Sequence, residues 1–497
     1  MKRIITAALA CAMIISSLCG CAQETEPAEQ PVQLPEKYIL SDLGLVTIEK
    51  DQKYTGLCAS YALINACESS LLVNGYENVD DLDLSEAHLY YYCHSFNDDK
   101  AYGTDGYFQS INREESKGNF LLDGSETFTL VNQLANGCGP VDETVVEFDP
   151  EHREQSTANL NAAHKSGAME KYMGEYLLTG ANYHNNETYE PIYENSSIRE
   201  MKRSIFADGA ASVSTTTAKY SYNFSDAGIA YYEGIYSAED IVEHAGHAVS
   251  VIGWDDNFSR ENFGRNKPDN DGAWYIKDSS RFKNGEYYYW SSYEQPLPGF
   301  TTVELTPRDE YGDVLFYDNL RMDRNIRADG EETVAANVFT VDKDCALKAA
   351  GVPTAAKNQP VIIEVYHNPD EYDPQSGRRV ARLETTIDMP GYHVVDLEES
   401  VKLNAGDSFS ILIRYRTDSS GVSDWLGRVP VEGDVTETEK KIFDVLGIDC
   451  VLASQPGQSY VVYENKWYDT SVPATAELFG LDVTLNNFGI KALMEKE

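Results

Sequence analysis

The chain has 497 residues, with 40 Lys and Arg against 81 Asp and Glu, a net charge of −41. A charge this negative repels nucleic-acid phosphates and anionic headgroups, so nucleic acid is not an expected partner and the acidity reads as solubility. At this length two or three domains are expected, and a hydrophobic content of 42% is enough to build sizeable cores.

Lys2 and Arg3 precede an apolar run, Ile4 to Leu18, too short to span a bilayer comfortably. The run ends in Leu18-Cys19-Gly20-Cys21, which resembles the lipobox of bacterial lipoproteins. That resemblance implies an export signal over 1–21 and acylation of Cys21, a lipid anchor on the outer face of the cell membrane. Residues 22–37, rich in Pro, Glu and Gln, read as a tether. Beyond the signal, Cys58, Cys67, Cys93, Cys138, Cys345 and Cys450 are too few for a disulfide scaffold. No CxxC pair or His/Cys cluster has zinc spacing, so no metal or cofactor is expected.

Residues 38–308 mix helical and strand patterns. Cys58 to Asn74 reads as a helix, with Tyr61, Ile64 and Leu71 on one stripe and Gly75 as its stop. Segments 247–254 and 271–278 read as strands of equal length. Paired as a hairpin, they set His247 opposite Asp278. A cysteine at a helix start beside a histidine is disposed to be a thiolate. The N–H of Cys58 and the side-chain amide of Gln52, six residues earlier, are suited to a developing oxyanion. His247 then carries the proton, and Asp278 orients its ring. His244 is the competing histidine, one turn too early and in a loop.

These residues resemble a family. DQKYTGLCASYALINACES (51–69) is similar to the nucleophile segment of papain-like cysteine peptidases, and GHAVSVIGWDD (246–256) to that family's histidine strand. GAWYIKDSS (272–280) stands where the family has Lys-Asn-Ser-Trp, and LSEAHLYYYC (84–93) looks like its Leu-Ser-Glu-Gln helix. The resemblance implies a two-lobed α+β fold, one lobe helical and one of antiparallel strands, with Gln52, Cys58, His247 and Asp278 at its catalytic site. The sequence departs from the pattern at four places, one of them Thr55, which stands where many members have a disulfide cysteine. Ala59 and Ser280 replace two Trp residues, one of which shields the His–Asn bond, and Asp278 replaces Asn. The spacing from Cys58 to His247 exceeds the familiar roughly 130–150 residues, which implies an insertion within Glu151–Arg199.

Residues 309–497 have another texture. VIIEVYH (361–367), YHVVDLE (392–398) and SFSILIRYR (408–416) alternate apolar and polar residues, the mark of an all-β sandwich. Residues 335–339, Gly391-Tyr392-His393 with Val395-Asp396, and Gly406-Asp407 are similar to the lectin-like module that follows papain-type domains in microbial surface proteins. Trp425, Trp467, Tyr460 and Tyr463 suit either a sugar platform or a sandwich core. This region is expected to fold independently and to be dispensable for chemistry.

The expected function is peptide-bond hydrolysis at the cell surface. Expected partners are a peptide or protein substrate, the membrane through Cys21, and a carbohydrate or cell-wall ligand of the sandwich. The competing readings are an inactive papain-like protein serving in surface binding or adhesion, and a compact Cys–His cell-wall hydrolase, which sets its two residues closer together.

Overall fold

The structure is a computed structural model. It describes residues 33–93, 107–110, 119–184, 195–216, 222–234, 246–318, 324–417, 423–434 and 454–496, and between the last two 436–437, 440–441, 444 and 448–451. Cys21, the export signal, most of the tether and His244 lie outside the described residues.

Among the described residues, the helices of the first region are α1 (Cys58–Val73), α2 (Glu86–Cys93), α3 (Thr127–Ala135), α4 (Arg153–Ser166) and α5 (Asn195–Asp208). Its strands are β1 (Lys37–Ile39), β2 (Tyr107–Ser110), β3 (Tyr176–His184), β4 (Ala211–Thr215), β5 (Tyr222–Ser225), β6 (Gly228–Tyr231), β7 (His247–Asp255), β8 (Ala273–Lys277), β9 (Tyr288–Ser292) and β10 (Phe300–Pro307). The rest is mostly strand: β11 (Val314–Leu315), β12 (Arg324–Ile326), β13 (Glu332–Thr340), β14 (Cys345–Thr354), β15 (Gln359–His367), β16 (Arg378–Ile387), β17 (Gly391–Leu403), β18 (Ser408–Arg416), β19 (Val429–Gly433), β20 (Ile448–Val451), β21 (Ser459–Tyr463), β22 (Lys466–Asp469), β23 (Leu485–Phe488) and β24 (Lys491–Met494).

Helix α1 begins and ends where its sequence indicates, but no single stripe describes it. Residues 59–72 are buried on every side, because α1 lies between α2 and α3 on one flank and β4, β7 and β10 on the other. Its polar residues are accommodated by hydrogen bonds. Ser60 Oγ donates to the Glu86 carbonyl at 2.8 Å, and Ser69 Oγ to that of Leu45 at 2.9 Å.

The C-terminal region is a sandwich. Leu347, Ala350 and Val352 of β14, with Leu397, Val401 and Leu403 of β17, face Phe339, Val361, Ile363, Ile411 and Ile413 from the sheet β16-β15-β18-β13-β21-β22. The two regions differ in texture as expected, yet they share one sheet. Its order is β11-β24-β14-β17-β3-β10-β4-β7-β8-β9-β6-β5, and β17 joins β3 through Gly391–Asn182, Tyr392–Ala181 and His393–Gly180. At this joint Gly391 has φ +140°, and a Cβ there would stand 1.9 Å from the Ala181 carbonyl oxygen. Tyr392 is buried in the first region's core beside Leu178, Ala181 and Val303. Lys491 pairs with Asp318 at 2.5 Å, both fully buried, and Asn136 of the α3 C-terminus donates to the Asp318 carbonyl at 2.8 Å.

Candidate active site

Cys58 is the first residue of α1, and Leu57 before it supplies no side-chain acceptor to the helix N-terminus. The first-turn N–H groups therefore keep their positive potential for the thiolate or a bound oxyanion. The approach to Cys58 is fixed by Gly56, whose N–H donates to the Leu121 carbonyl at 2.7 Å. A Cβ at Gly56 would lie 2.3 Å from the Asp123 carbonyl oxygen, so only glycine admits that loop.

His247 opens β7, held by its pairing with Thr215 of β4. Strands β7 and β8 form the expected antiparallel pair, but their register is offset from equal-length alignment. Ser250 pairs with Lys277, with a bulge between Val251 and Gly253. Extending the ladder by one residue sets Val249, not His247, beside Asp278. The offset of two keeps His247 on the required face, because side chains alternate with period two. The imidazole Nε2 then meets Asp278 Oδ1 at 2.6 Å, leaving Nδ1 for the sulfur.

Burial opposes a thiolate at Cys58, but the hydrogen bond and charge of His247, with the N–H groups of Ala248 and Ala59, bring its pKa below the ordinary value. Burial likewise opposes the imidazolium, and the charge and hydrogen bond of Asp278, then Cys58, outweigh it and hold His247 well above its usual range. Both shifts favour the ion pair.

Gln52 is buried and tied to the loop that carries Asp278. Its N–H donates to the Ser279 carbonyl at 2.8 Å, and its Oε1 accepts from Ser279 Oγ at 2.7 Å. Nε2 spends one proton on the Thr55 carbonyl at 2.7 Å. The structure thus brings Cys58, His247 and Asp278 together and ties Gln52 to the same loop.

The missing Trp at Ser280 does not leave the pair wet. The side chains of His247 and Asp278 are 13% and 4% exposed. The Ser280 N–H donates to Asp278 Oδ1 at 2.7 Å, and the Asp278 N–H to the Tyr287 carbonyl at 2.8 Å. Tyr222, Phe282 and Tyr289 form a three-ring cluster with centroids 5.1–5.8 Å apart. Burial raises both phenols, with Asp278 the next cause for Tyr222, and Tyr222 and then Asp278 for Tyr289. Sequence reasoning missed these rings. The run Tyr287-Tyr288-Tyr289-Trp290 was the available signal.

Because an amide oxygen accepts from Nε2–H as a carboxylate does, Asp278→Asn is expected to retain activity within about tenfold. Asp278→Ala, which cannot accept, is expected to lose about 10²-fold in kcat/KM. Equal losses in the two variants would show that the negative charge, not orientation, is what His247 needs.

Beneath α1 lies a buried charge network. Lys50 Nζ reaches the Leu84 carbonyl at 2.7 Å, Asp83 at 2.5 Å and Glu86 at 3.0 Å. Lys277, adjacent to Asp278, donates to Asn65 Oδ1 at 2.8 Å and to the carbonyls of Thr47 and Ile48. Burial, with Glu68 against the pull of Lys50, raises Glu86 to about 7, and burial with Glu86 raises Glu143 to about 8. Raised carboxylates bind protons more tightly in the folded chain. Their contribution is therefore full below pH about 4 and is lost as pH rises through 7 to 8. Thermal stability should fall between pH 5 and 8, and Glu143→Gln should flatten that slope by a few kcal/mol at most. An unchanged slope in calorimetric scans would exclude Glu143 as its source.

In the sandwich, three of the four aromatic residues considered for a sugar platform serve packing. Tyr460 is buried, Tyr463 packs on Phe479 at 5.5 Å, and Trp467 covers a small cluster that includes Val334 and Leu412. Trp425 carries the Arg428 guanidinium over its ring at 4.5 Å.

A family model described as "Lectin like domain" matches residues 314–493. No curated protein matches the sequence. Among solved structures, the clostridial cysteine protease Cwp84 after propeptide cleavage is similar at 20% identity with TM-score 0.69, covering 93% of this chain and 99% of that one. A second structure contains the cysteine protease and lectin-like domains of Cwp84, described as a surface-layer-associated protein of Clostridium difficile. It matches at 20% identity with TM-score 0.66, covering 94% of this chain and 90% of that one. At that identity the likeness speaks for the fold. The chain is a papain-like, two-lobed α+β peptidase fold joined to a lectin-like β-sandwich.

Proposed function

We propose that the chain is a cysteine-type endopeptidase, with a peptidase domain over about 38–308 and a lectin-like domain over about 309–497. The observation that carries this reading is the juxtaposition of Cys58 at a helix start with His247, and of Asp278 at 2.6 Å from the ring. The Cys58 thiolate attacks the scissile carbonyl carbon. The resulting oxyanion is received by the Cys58 N–H and the second Nε2 proton of Gln52. His247 gives its proton to the departing amine, leaving a thioester on Cys58. It then takes a proton from water, whose attack on the thioester releases the acid and restores the thiolate–imidazolium pair. Cys58→Ala should abolish cleavage of an unfolded protein while leaving the far-ultraviolet circular dichroism unchanged. Cleavage that survives this change would remove Cys58 from the mechanism.

The enzyme works outside the cytoplasm, held by acyl chains on Cys21, with a carbohydrate or cell-wall polymer as the ligand of its lectin-like domain. The lipobox-like sequence, and the surface association described for Cwp84, support this placement. Cys21→Ser should move most of the protein from the membrane fraction to the soluble fraction. An unchanged distribution would point to another anchor.

A further inference from the structure

Two hairpins frame a groove of about 410 Å³ on the β lobe. One wall is the β5–β6 turn, Phe224 to Ile229. The other is the β8–β9 turn, with Asn284 and Glu286. The opening follows from a short strand pairing. Parallel β6 and β9 share only the rungs Ala230–Trp290 and Tyr231–Ser291, and the ladder does not reach Gly228 and Tyr288.

The floor is aromatic. Tyr275 and Tyr288 stack with centroids 5.6 Å apart and planes 14° apart, and Tyr275 lies 4.5 Å from Trp290. On the wall, Phe224 is 59% exposed and extends the apolar surface of the floor. The rim is acidic, with Asp226 and Glu286 exposed on opposite turns. Glu49 accepts from the Tyr288 hydroxyl at 2.8 Å. Burial, then Asp42, Glu286 and Glu49, raise the Tyr275 phenol, which reports a negative potential over the floor. Among the described residues that line it there is no lysine or arginine. The chain itself sets one cation on this aromatic system, since Lys37 Nζ lies 5.6 Å from the Trp290 centroid.

Aromatic faces flanked by carboxylates fit a cation on a flexible apolar stem. We propose that this groove binds a lysine- or arginine-bearing stretch of the polypeptide substrate, with the cations between Asp226 and Glu286 and their stems on Tyr275, Tyr288 and Phe224. The inference rests on the peptidase reading for its biological sense. The floor lies on the face of the sheet opposite His247 and Asp278, because Tyr275 and Tyr288 alternate with Ile276 and Tyr289 along the β8–β9 ladder, so the groove holds a part of the substrate chain away from the scissile bond.

The test uses full-length Cys58→Ala protein and a fluorescent ten-residue peptide of alternating Lys and Gly, read by anisotropy. Asp226→Asn/Glu286→Gln should weaken binding by about tenfold, and Phe224→Ala by several-fold with all charges kept. The control is Glu398→Gln/Glu399→Gln, which removes two exposed charges from the sandwich and should change binding less than about twofold. Equal loss in the groove and control variants would mean diffuse attraction to an acidic protein and overturn the proposal. Equal affinity for an alternating Ser and Gly peptide would overturn it too. In the wild-type background, the groove double variant should raise KM for a cleavable Lys-bearing peptide and leave kcat unchanged. The binding arm is decided even if no peptide is cleaved, so failure of the groove and failure of the peptidase reading are separate results.

Discussion

Replacing His247 by Ala is expected to slow alkylation of Cys58 by iodoacetamide at pH 6 by on the order of tenfold. An ordinary thiol with pKa near ~8.5 is only about 0.3% thiolate at that pH. Pairing with imidazolium raises that fraction toward unity, while the lower basicity costs the sulfur part of its intrinsic nucleophilicity. The net gain is what His247→Ala removes. Cys67, Cys93 and Cys138 are fully buried and burial raises the Cys67 thiol further, which leaves half-buried Cys345 as the competing thiol among the described residues. Mass-spectrometric mapping assigns the modified residue. Wild type and variant reacting alike, both at the rate of a free cysteine peptide, would favour the inactive binding protein over the enzyme. The dryness of the His247–Asp278 pair argues for the enzyme, since a screened ion pair in water would lose most of its mutual attraction.

A chain cut to 37–309 is expected to be insoluble or loosely packed, with no measurable peptidase activity. The cut removes the β17 partner of β3 and leaves Ala181 and Asn182 on an open sheet edge. It also takes Phe316, Ala349 and Leu493 from the cluster that covers Leu177, and Tyr392 from the core around Leu178. Each large apolar group lost this way is worth roughly 1.5–3 kcal/mol, so the sum approaches the whole stability of an ordinary domain. A milder variant probes the same joint in the intact chain. Gly391→Ala sets a Cβ against the Ala181 carbonyl in a backbone conformation that side chains disfavour. It should cost about 3 kcal/mol and lower Tm by several degrees. A soluble, active 37–309 fragment would restore the view of a dispensable C-terminal domain.

Where local chemistry decides the structure, the sequence was readable. The bounds of α1 follow from a stretch free of Gly and Pro that is closed by Gly75, and β15, β17 and β18 from apolar, β-branched runs whose alternation is only partial, since most of β15 and β18 is buried on both faces. The proposed quartet could be picked out because each member sits in a short motif, and the structure brings Cys58, His247 and Asp278 together. Three things were hidden. The offset between β7 and β8 depends on a bulge at Gly253, which no residue spacing announces. The aromatic cluster beside Asp278 draws on Tyr222, far away in sequence from Phe282 and Tyr289. The joint of β17 with β3 pairs residues about two hundred positions apart, and such a contact leaves no trace in local periodicity. The burial of α1 on all sides was masked for a related reason, because its polar residues find partners contributed by other segments.

That joint is narrow along the strands. Three residue pairs link β17 to β3, whereas eight link β3 to β10 and nine link β14 to β17. In hydrogen-exchange terms this makes it a seam between two cooperative units, although side-chain packing bridges it. Rare excursions that part the sheet there would break few backbone bonds and leave both flanking ladders whole. Amides at Gly180–Asn182 that serve the joint should therefore exchange ahead of those in the β10 ladder, and the protein would breathe along this line before it unfolds.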